Sequence, residues 1–320
     1  GGAGDGPPVA AGMEAAVVIV ELSDTSTNEI NKKIIGLREE GGALALGRVL
    51  TLVIAPDSEA TLEGAIEAAN FASREHPCRV IVTLTGDRGR PDSRLDAELR
   101  VGRDAGAGEV VVLRLHGELA DHADSVVLPF LLPDTPVVAW WPTSAPAVPA
   151  QDPLGRLAIR RITDATRAPD PLAALKDRRP GYAAGDTDVA WSRITYWRAL
   201  LASAIDEPPH EPIESAVVSG LKAEPALDIL AGWLAARIDG TVTRTVGTLK
   251  VELHRASETV TLSRPQEGLT ATLSRTSRPV ALLPLARRDV PECLAEELRR
   301  LDPDEIYHEA LEGIDKVVYR

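Results

Sequence analysis

A short basic loop carries some of the side chains best suited to chemistry in this sequence. Arg88 and Arg90, with Arg94 nearby, could clamp an anion, because guanidinium groups bind phosphate and carboxylate oxygens strongly. Four acidic residues in and beside the loop nearly cancel this charge, namely Asp87, Asp92, Asp96 and Glu98. The loop is either an anion site or a solvated face of paired charges, and the charge balance favours the solvated face.

Two cysteines are the candidate redox groups. Cys78 and Cys293 lie far apart in the sequence and form no CxxC motif, which suits a reducing cytoplasm and excludes a disulfide scaffold. His76 stands two residues before Cys78 and could lower the pKa of its thiol. A small buried side chain is the favoured interpretation of Cys78, whereas Cys293 falls in a predicted helix where it could be exposed.

Motifs for phosphate, metal or nucleophilic chemistry are missing from the sequence. Gly102, Gly106 and Gly108 precede a strand, whereas a dinucleotide fingerprint follows a strand and opens a helix. The segment 116–124 holds two histidines and three carboxylates, but it lacks the H-E-x-x-H spacing and is also typical of the charged start of a helix. There is no G-x-S-x-G elbow. The sequence therefore predicts no catalytic residue, no metal and no cofactor.

Two tryptophans end a short apolar run between prolines. The run 136–142 is apolar on both faces, which predicts a buried parallel strand that stops at Pro142. Trp140 and Trp141 must point to opposite faces of that strand. We expect one of them to be a core anchor and the other to be a candidate contact, for a ligand at the carboxyl end of the strand or for a partner protein.

A second aromatic stretch is predicted to be a helix over 186–205. Trp191, Arg193, Trp197 and Arg198 are residue types enriched at protein–protein hot spots, and Trp191 and Arg198 share a helix face with Ile194 and Leu201. An amphipathic core helix explains the same spacing equally well, so both interpretations remain open.

The elements that must position these residues follow two patterns. Strands and helices alternate in the N-terminal half, with βαβ spacing between 48 and 85 and a half-solvated antiparallel or edge strand at 95–101. The C-terminal half contains closely spaced strands over 241–274 that predict an antiparallel meander, followed by two helices. The predicted fold is α/β, with a mostly parallel α/β sheet domain followed by an α+β domain.

The predicted division has three parts. Residues 1–15 are rich in glycine, alanine and proline and are predicted to be a disordered leader or a non-native remnant. Residues 16–165 form the α/β domain and residues 166–320 the C-terminal domain.

Composition excludes several classes of partner. The 320 residues carry a formal net charge of −13, which repels nucleic acids and anionic membranes, and no apolar run approaches the ~20 residues of a membrane span. We expect a cytoplasmic protein that binds neither nucleic acid nor membrane.

Five strings of the sequence resemble the actinobacterial OpcA family of glucose-6-phosphate dehydrogenase assembly proteins. They are ASREHPCRVIV (72–82), DSRLDAELRVG (92–102), ADHADSVVLPFLLPDTPVVAWWP (120–142), GDTDVAWSRITYWRALLASAID (185–206) and AEELRRLDPDEIY (295–307). The resemblance runs from about residue 22 to near the C-terminus. It implies a non-catalytic, allosteric activator that binds glucose-6-phosphate dehydrogenase, promotes its active oligomer and supports NADPH production in the oxidative pentose phosphate pathway.

Two alternatives stay open beside this hypothesis. The first is a sensor or enzyme for a sugar phosphate or nucleotide, with an anion site near Arg88 and Arg90 at the carboxyl edge of the N-terminal sheet. The second is a redox sensor that uses Cys78 or Cys293. In cyanobacterial relatives the family's effect is linked to thioredoxin, but neither cysteine here can be matched to a known redox position.

Overall fold

The protein folds around two mixed sheets, according to a computed structural model that describes residues 17–40, 47–102, 108–276 and 278–320. The predicted leader lies outside the described residues. The strands are β1 Val18–Leu22, β2 Leu50–Ile54, β3 Cys78–Thr85, β4 Arg94–Val101, β5 Glu109–His116, β6 Val137–Trp141, β7 Arg160–Thr163, β8 Asp186–Asp188, β9 Ser215–Gly220, β10 Thr241–Val246, β11 Lys250–His254, β12 Thr259–Ser263, β13 Thr270–Arg275, β14 Arg278–Pro284 and β15 Val318–Tyr319. The helices are α1 Thr27–Glu40, α2 Glu59–Ser73, α3 Ala123–Val127, α4 Pro153–Leu157, α5 Pro171–Arg178, α6 Val189–Arg193, α7 Thr195–Asp206, α8 Pro225–Arg237, α9 Val290–Arg299 and α10 Glu305–Gly313.

The first sheet has eight strands in the order β1-β4-β5-β3-β2-β6-β7-β8. The strands from β5 to β8 in this order are parallel, while β4 runs antiparallel to both β5 and β1. This confirms the mostly parallel sheet and the antiparallel strand predicted at 95–101, although β1, not β4, forms the edge. The strands β2, β3, β5 and β6 are buried on both faces, because helices cover both sides of the sheet.

The second sheet has seven strands in the order β14-β13-β12-β11-β9-β10-β15. Strands β11 to β14 form the predicted antiparallel meander. The segment 241–245, predicted to belong to that meander, instead forms β10, which lies parallel to β9 after the crossover helix α8. Parallel neighbours need a crossover of this length, and α8 supplies it. Helix α8 is buried on nearly all sides and forms the centre of this half.

Two helices predicted to be continuous are interrupted. The apolar segment 119–132, whose composition predicts one helix, is a pair of 3-10 turns around the short α3, because Pro129 lacks the N–H that a longer helix needs. The helix expected over 186–205 is strand β8 followed by α6 and α7, which are separated at Ile194. Asp188 fixes the start of α6 by accepting a hydrogen bond from the backbone N–H of Ala190.

The C-terminal helices return to both halves of the protein. Helix α9 packs on α2, and its Cys293, Leu294 and Leu298 belong to one apolar core of the first sheet. Helix α10 packs closely on α8 in the second half. The division predicted between 165 and 166 stays a prediction, and the first sheet continues beyond it to Asp188. None of the helices in the described ranges is long and apolar enough to cross a bilayer.

Candidate functional site

A cleft lies at the carboxyl ends of β2, β3 and β6. From β2 the chain builds outward through β3 to β5 and then returns to the other side of β2 with β6, so the strand order reverses between β2 and β6. Ligands of open α/β sheets bind at such a reversal. A cavity of about 440 Å³ opens there, with Asp57, Thr83, Thr85 and Trp141 among its lining residues.

The carboxylate of Asp57 occupies the turn between β2 and α2. It accepts hydrogen bonds from the hydroxyls of Ser144 at 3.0 Å, Ser58 at 3.2 Å and Thr61 at 3.3 Å. Burial opposes ionisation, but the hydroxyl bonds outweigh it and lower the pKa of Asp57. A fixed negative charge therefore stands where α2 begins.

This charge makes the cleft unsuitable for the pyrophosphate of a dinucleotide. A dinucleotide needs a glycine-rich turn whose backbone N–H groups, together with a helix N-terminus, face its phosphates. The turn 55–58 contains no glycine, Pro56 lacks an N–H, and Glu59 adds a second carboxylate in the first helical turn. The cleft is lined by three aspartates and one arginine, namely Asp57, Asp121, Asp152 and Arg88. Its charge favours neutral or cationic groups over anions.

The three arginines of the predicted anion clamp do not converge. Arg88 pairs with Asp121, while Nη2 of Arg90 lies 3.1 Å from Oδ2 of Asp92 and Nε of Arg94 lies 2.8 Å from Oδ1 of Asp96. Of the three, only Arg88 lines the cleft. This arrangement is the solvated face of paired charges that the charge balance favours, and it gives no support to an anion clamp, because carboxylates already neutralise each guanidinium.

Both tryptophans of β6 are core residues. Trp140 is 1% exposed and Trp141 4% exposed, and they belong to the cores on opposite faces of the sheet, as the strand geometry predicts. The strand ends at Trp141, and Pro142 after it is half-buried. The expectation that one of the two tryptophans contacts a partner is not supported, because helices cover both faces of β6.

Trp191 and Arg198 form a stacked pair at the junction of α6 and α7. The guanidinium carbon of Arg198 lies 3.4 Å from the centroid of the Trp191 ring, and the indole N–H donates to Oδ2 of Asp304 at 2.8 Å. Burial lowers the pKa of Arg198 to about 10. The two residues meet across two consecutive helices and not on one face of a continuous helix, and Trp191 is buried, so the pair anchors α6 and α7 to the start of α10.

The exposed aromatic residue of this segment is Tyr196. Its side chain is 54% exposed, and the guanidinium carbon of Arg288 lies 5.0 Å from its ring centroid. Arg193, three residues earlier in the chain, is half-buried, while Trp197, the next residue of α7, is buried. The sequence pattern that assigned Trp191, Ile194 and Leu201 to one side of the helix could have indicated Tyr196 as the outward residue.

A buried polar network joins the two halves next to this segment. Glu297 of α9 pairs with Arg160 of β7 and accepts hydrogen bonds from the hydroxyls of Ser192 and Thr187. Such a network is stabilising only if each charge keeps its partner, so it fixes α9 against β7, β8 and α6. The role of this network is therefore structural.

A second buried carboxylate, that of Asp188, follows Thr187 in β8 and is fully buried. Its carboxylate accepts hydrogen bonds from the hydroxyl of Thr163 at 2.6 Å and from Nη1 of Arg178 at 2.9 Å. Burial raises its pKa to about 6, although Arg178 opposes the shift.

Both cysteines lie in the core shared by α2, α9 and the first sheet. Neither thiol is exposed, which confirms the burial of Cys78 and corrects the expectation for Cys293. Burial raises the pKa of Cys78 to about 11 and that of Cys293 to about 12. Reactive redox cysteines have exposed thiols with lowered pKa values, so the structure gives no support to a redox role for either. Within the described ranges, no three potential ligand side chains converge on a metal position.

Comparison with solved structures finds distant likenesses to oxidoreductases. A 3-ketoreductase from Actinomadura kijaniata shares 11% identity and a TM-score of 0.45, over 84% of this chain and 99% of that one. An aldose-aldose oxidoreductase from Caulobacter crescentus gives the same identity and TM-score, over 83% of this chain and 96% of the other. A biliverdin reductase from Synechocystis gives 11% identity and a TM-score of 0.40, over 84% and 97%. Comparison with curated protein sequences found no match.

The fold and the cleft define a two-part α/β protein with a doubly wound strand order and no phosphate-binding loop after its first parallel strand. Residues 69–180 match the family model described as the glucose-6-phosphate dehydrogenase subunit N-terminal domain, and residues 184–311 match the model of the corresponding C-terminal domain. The chain therefore belongs to the OpcA family of glucose-6-phosphate dehydrogenase assembly subunits, as the five sequence strings indicate.

Proposed function

We propose that this protein is a non-catalytic cytoplasmic subunit that binds glucose-6-phosphate dehydrogenase and promotes its active oligomer. The match of 69–180 and 184–311 to the two subunit models carries the proposal. The cleft supports it, because Asp57 and Glu59 stand where a nicotinamide dinucleotide would need glycines and free N–H groups. A subunit of this kind would raise NADPH production without a catalytic residue of its own.

The surface proposed to meet the enzyme is the outer side of α7 around Tyr196. Tyrosine and arginine are enriched at the energetic centres of interfaces. Tyr196 is exposed, Arg288 lies against its ring, and Arg193 is three residues earlier in the chain. Elsewhere the protein is strongly acidic, which would steer it toward a basic partner surface.

The proposed mechanism is a population shift. A subunit that binds the active oligomer more tightly than the inactive form moves the equilibrium toward the active form, by no more than the difference between the two affinities. No conformational signal inside this chain is needed.

The test adds the purified protein to glucose-6-phosphate dehydrogenase and follows NADPH formation and oligomer size. We expect both to increase. We expect Tyr196→Ala to raise, at least tenfold, the concentration of this protein that is required for the same effect. Phe71→Ala on α2 is the matched control, because Phe71 is also an exposed aromatic residue, at 39%. An unchanged rate and an unchanged oligomer size with the wild-type protein would refute the function. Equal losses in both variants would refute the proposed contact surface around Tyr196 but not the proposed function.

A further inference from the structure

We propose that a pocket between α6–α7 and the N-terminus of α8 binds the phosphate group of a small phosphorylated molecule. The pocket is about 40 Å³ in volume, more than the roughly 10–15 Å³ that one water requires, and so accepts a small anion or the end of a larger one. Its polar lining comes from segments far apart in the sequence: Arg193, Glu224, Arg264, Gln266 and Arg287.

The charge of the pocket favours a dianion. Three arginines face one carboxylate, so the lining carries a net charge of +2 in a chain whose total is −13. Nη2 of Arg287 lies 3.2 Å from Oε2 of Glu224, which accounts for the single negative charge. The guanidinium groups of Arg193 and Arg264 have no carboxylate within ion-pair distance among the described residues. A phosphate monoester supplies close to two negative charges at neutral pH and three acceptor oxygens.

Arg264 is built into the site. The residue is 6% exposed, and its Nη1 donates to the carbonyl oxygen of Leu285 at 2.7 Å, which holds the side chain in place. Its Nε is buried and has no hydrogen-bond partner in the part of the chain that the structure describes, and the same is true of Nε of Arg193. Burial, and the nearby charge of Arg287, lower the pKa of Arg264. A buried donor without an acceptor costs free energy, and an anion in the pocket would supply acceptors for the arginines. Oε1 of Glu224 in the same lining is also buried without a hydrogen-bond partner among the described residues, so this carboxylate opposes the anion.

The start of α8 adds a third attraction. This helix of 13 residues begins at Pro225, and its N-cap residue Glu224 makes no side-chain capping bond. Ala226 and Leu227 line the pocket, so the positive end of the helix dipole faces it. Three arginines thus outnumber the one carboxylate around this small cavity, whereas the cleft of the first sheet collects aspartates.

The apolar wall beside the charges indicates an ester and not only the free ion. Trp197, Ile194 and Leu249 line the same pocket, and the guanidinium carbon of Arg264 lies 6.0 Å from the Trp197 ring centroid. A small organic group attached to the phosphate would contact this wall. The proposal shares Arg193 with the surface proposed to meet the enzyme, but it concerns binding to this chain alone and is tested without the enzyme.

The experiment is calorimetric titration of the full chain with inorganic phosphate, a sugar phosphate and a nucleoside monophosphate, at constant ionic strength. We expect saturable binding of at least one ester, more tightly than of inorganic phosphate. Arg193→Gln should weaken it at least tenfold, and Arg193 has no hydrogen-bond or ion-pair partner among the described residues whose loss would affect folding. Glu224→Gln should strengthen it severalfold, because it removes the opposing carboxylate.

The control is Arg299→Gln, which removes an arginine of α9 that is exposed and pairs with Glu75. This variant should bind as the wild type does. Failure of all three compounds to bind would overturn the proposal. An equal loss in Arg193→Gln and Arg299→Gln would also overturn it, because that result would indicate a general charge effect and not a site. Unchanged activation of glucose-6-phosphate dehydrogenase has no bearing on either outcome, so the two proposals fail separately.

Discussion

The guanidinium of Arg198 stacks on the indole ring of Trp191, with 3.4 Å between the guanidinium carbon and the ring centroid. The same indole donates its N–H to Asp304, whose carboxylate also accepts hydrogen bonds from the backbone N–H groups of Ile306 and Tyr307 at the start of α10. One side chain of α7, one of α6 and the cap of α10 therefore form a single unit. The residue types that suggest a protein–protein hot spot instead fix three helices.

Loss of the stacked pair should destabilise the protein. Arg198→Ala removes a partly desolvated cation–π contact, for which we expect a loss of roughly 2 kcal/mol in the free energy of unfolding. Arg198→Lys keeps the charge but not the planar stacking surface, so its loss should be smaller. Urea unfolding measures both. Arg299→Ala is the control and should change stability by less than about 0.5 kcal/mol, and a similar value for Arg198→Ala would contradict this prediction.

The close approach of α8 and α10 depends on glycine. A Cβ on Gly232 would collide with the carbonyl oxygen of Ala310, whereas a Cβ on Gly36 in α1 would meet nothing within 4 Å. Gly232→Ala should therefore lower the free energy of unfolding by about 1–3 kcal/mol. Gly36→Ala should raise it by roughly 0.5–1 kcal/mol, because alanine loses less backbone entropy in a helix. Thermal unfolding of the two variants tests the pair, and equal effects of the same sign would refute the packing argument.

Buried Asp228 predicts a measurable pH dependence of stability. Burial raises its pKa to about 6, although Nε of Arg244 lies 3.1 Å from its Oδ1. The folded state thus holds a proton that the unfolded state releases near the usual pKa of 3.8. The stabilisation is complete below the unfolded pKa and is lost as the pH rises through about 6.

The comparison with Asp228→Asn isolates this group. Relative to that variant, the wild-type free energy of unfolding should fall between pH 4 and pH 6 and then become constant. Urea unfolding at a series of pH values measures the difference. A difference that rises with pH over this range would show that the pKa of Asp228 is lowered and not raised.

The two thiols should be unreactive in the folded protein. Burial raises the pKa values of Cys78 and Cys293 to about 11 and about 12, so almost no thiolate forms at neutral pH. A thiol reagent should therefore label neither residue before unfolding and both in denaturant. Stoichiometric labelling of the native protein would contradict this prediction. Cys78→Ala and Cys293→Ala should leave any effect on the dehydrogenase unchanged when corrected for the folded fraction.

Much of the fold could be predicted from the sequence because its buried strands are continuous apolar runs. Strands β2, β3, β5 and β6 have this character, and each is bounded by proline, glycine or charged residues. The short strands β8 and β15 have no periodicity to detect and gain their hydrogen bonds only from distant neighbours. The sequence gives no sign that Asp186–Asp188 would extend a sheet before α6 begins.

The residues of the proposed phosphate pocket could be predicted only in part. The sequence indicated Arg193 and Trp197 but assigned them to a protein contact. Arg264 and Arg287 lie more than sixty residues further along the chain and reach the pocket only because the meander and the segment before α9 fold back onto α7. Helical periodicity relates residues three or four apart and cannot reveal such a convergence.

The position of α9 has a consequence for how the chain is made. The ion pair between Arg299 and Glu75 joins residues 224 positions apart, and Leu294 and Leu298 help to close the core over α2. During synthesis, the first sheet emerges from the ribosome long before the helix that covers one of its apolar faces. The face of the first sheet and α2 that α9 covers therefore stays exposed to solvent until nearly the last residues are translated. A fragment ending near residue 188 lacks α9 and should consequently bind chaperones or aggregate. The full chain contains the helix that covers this apolar face.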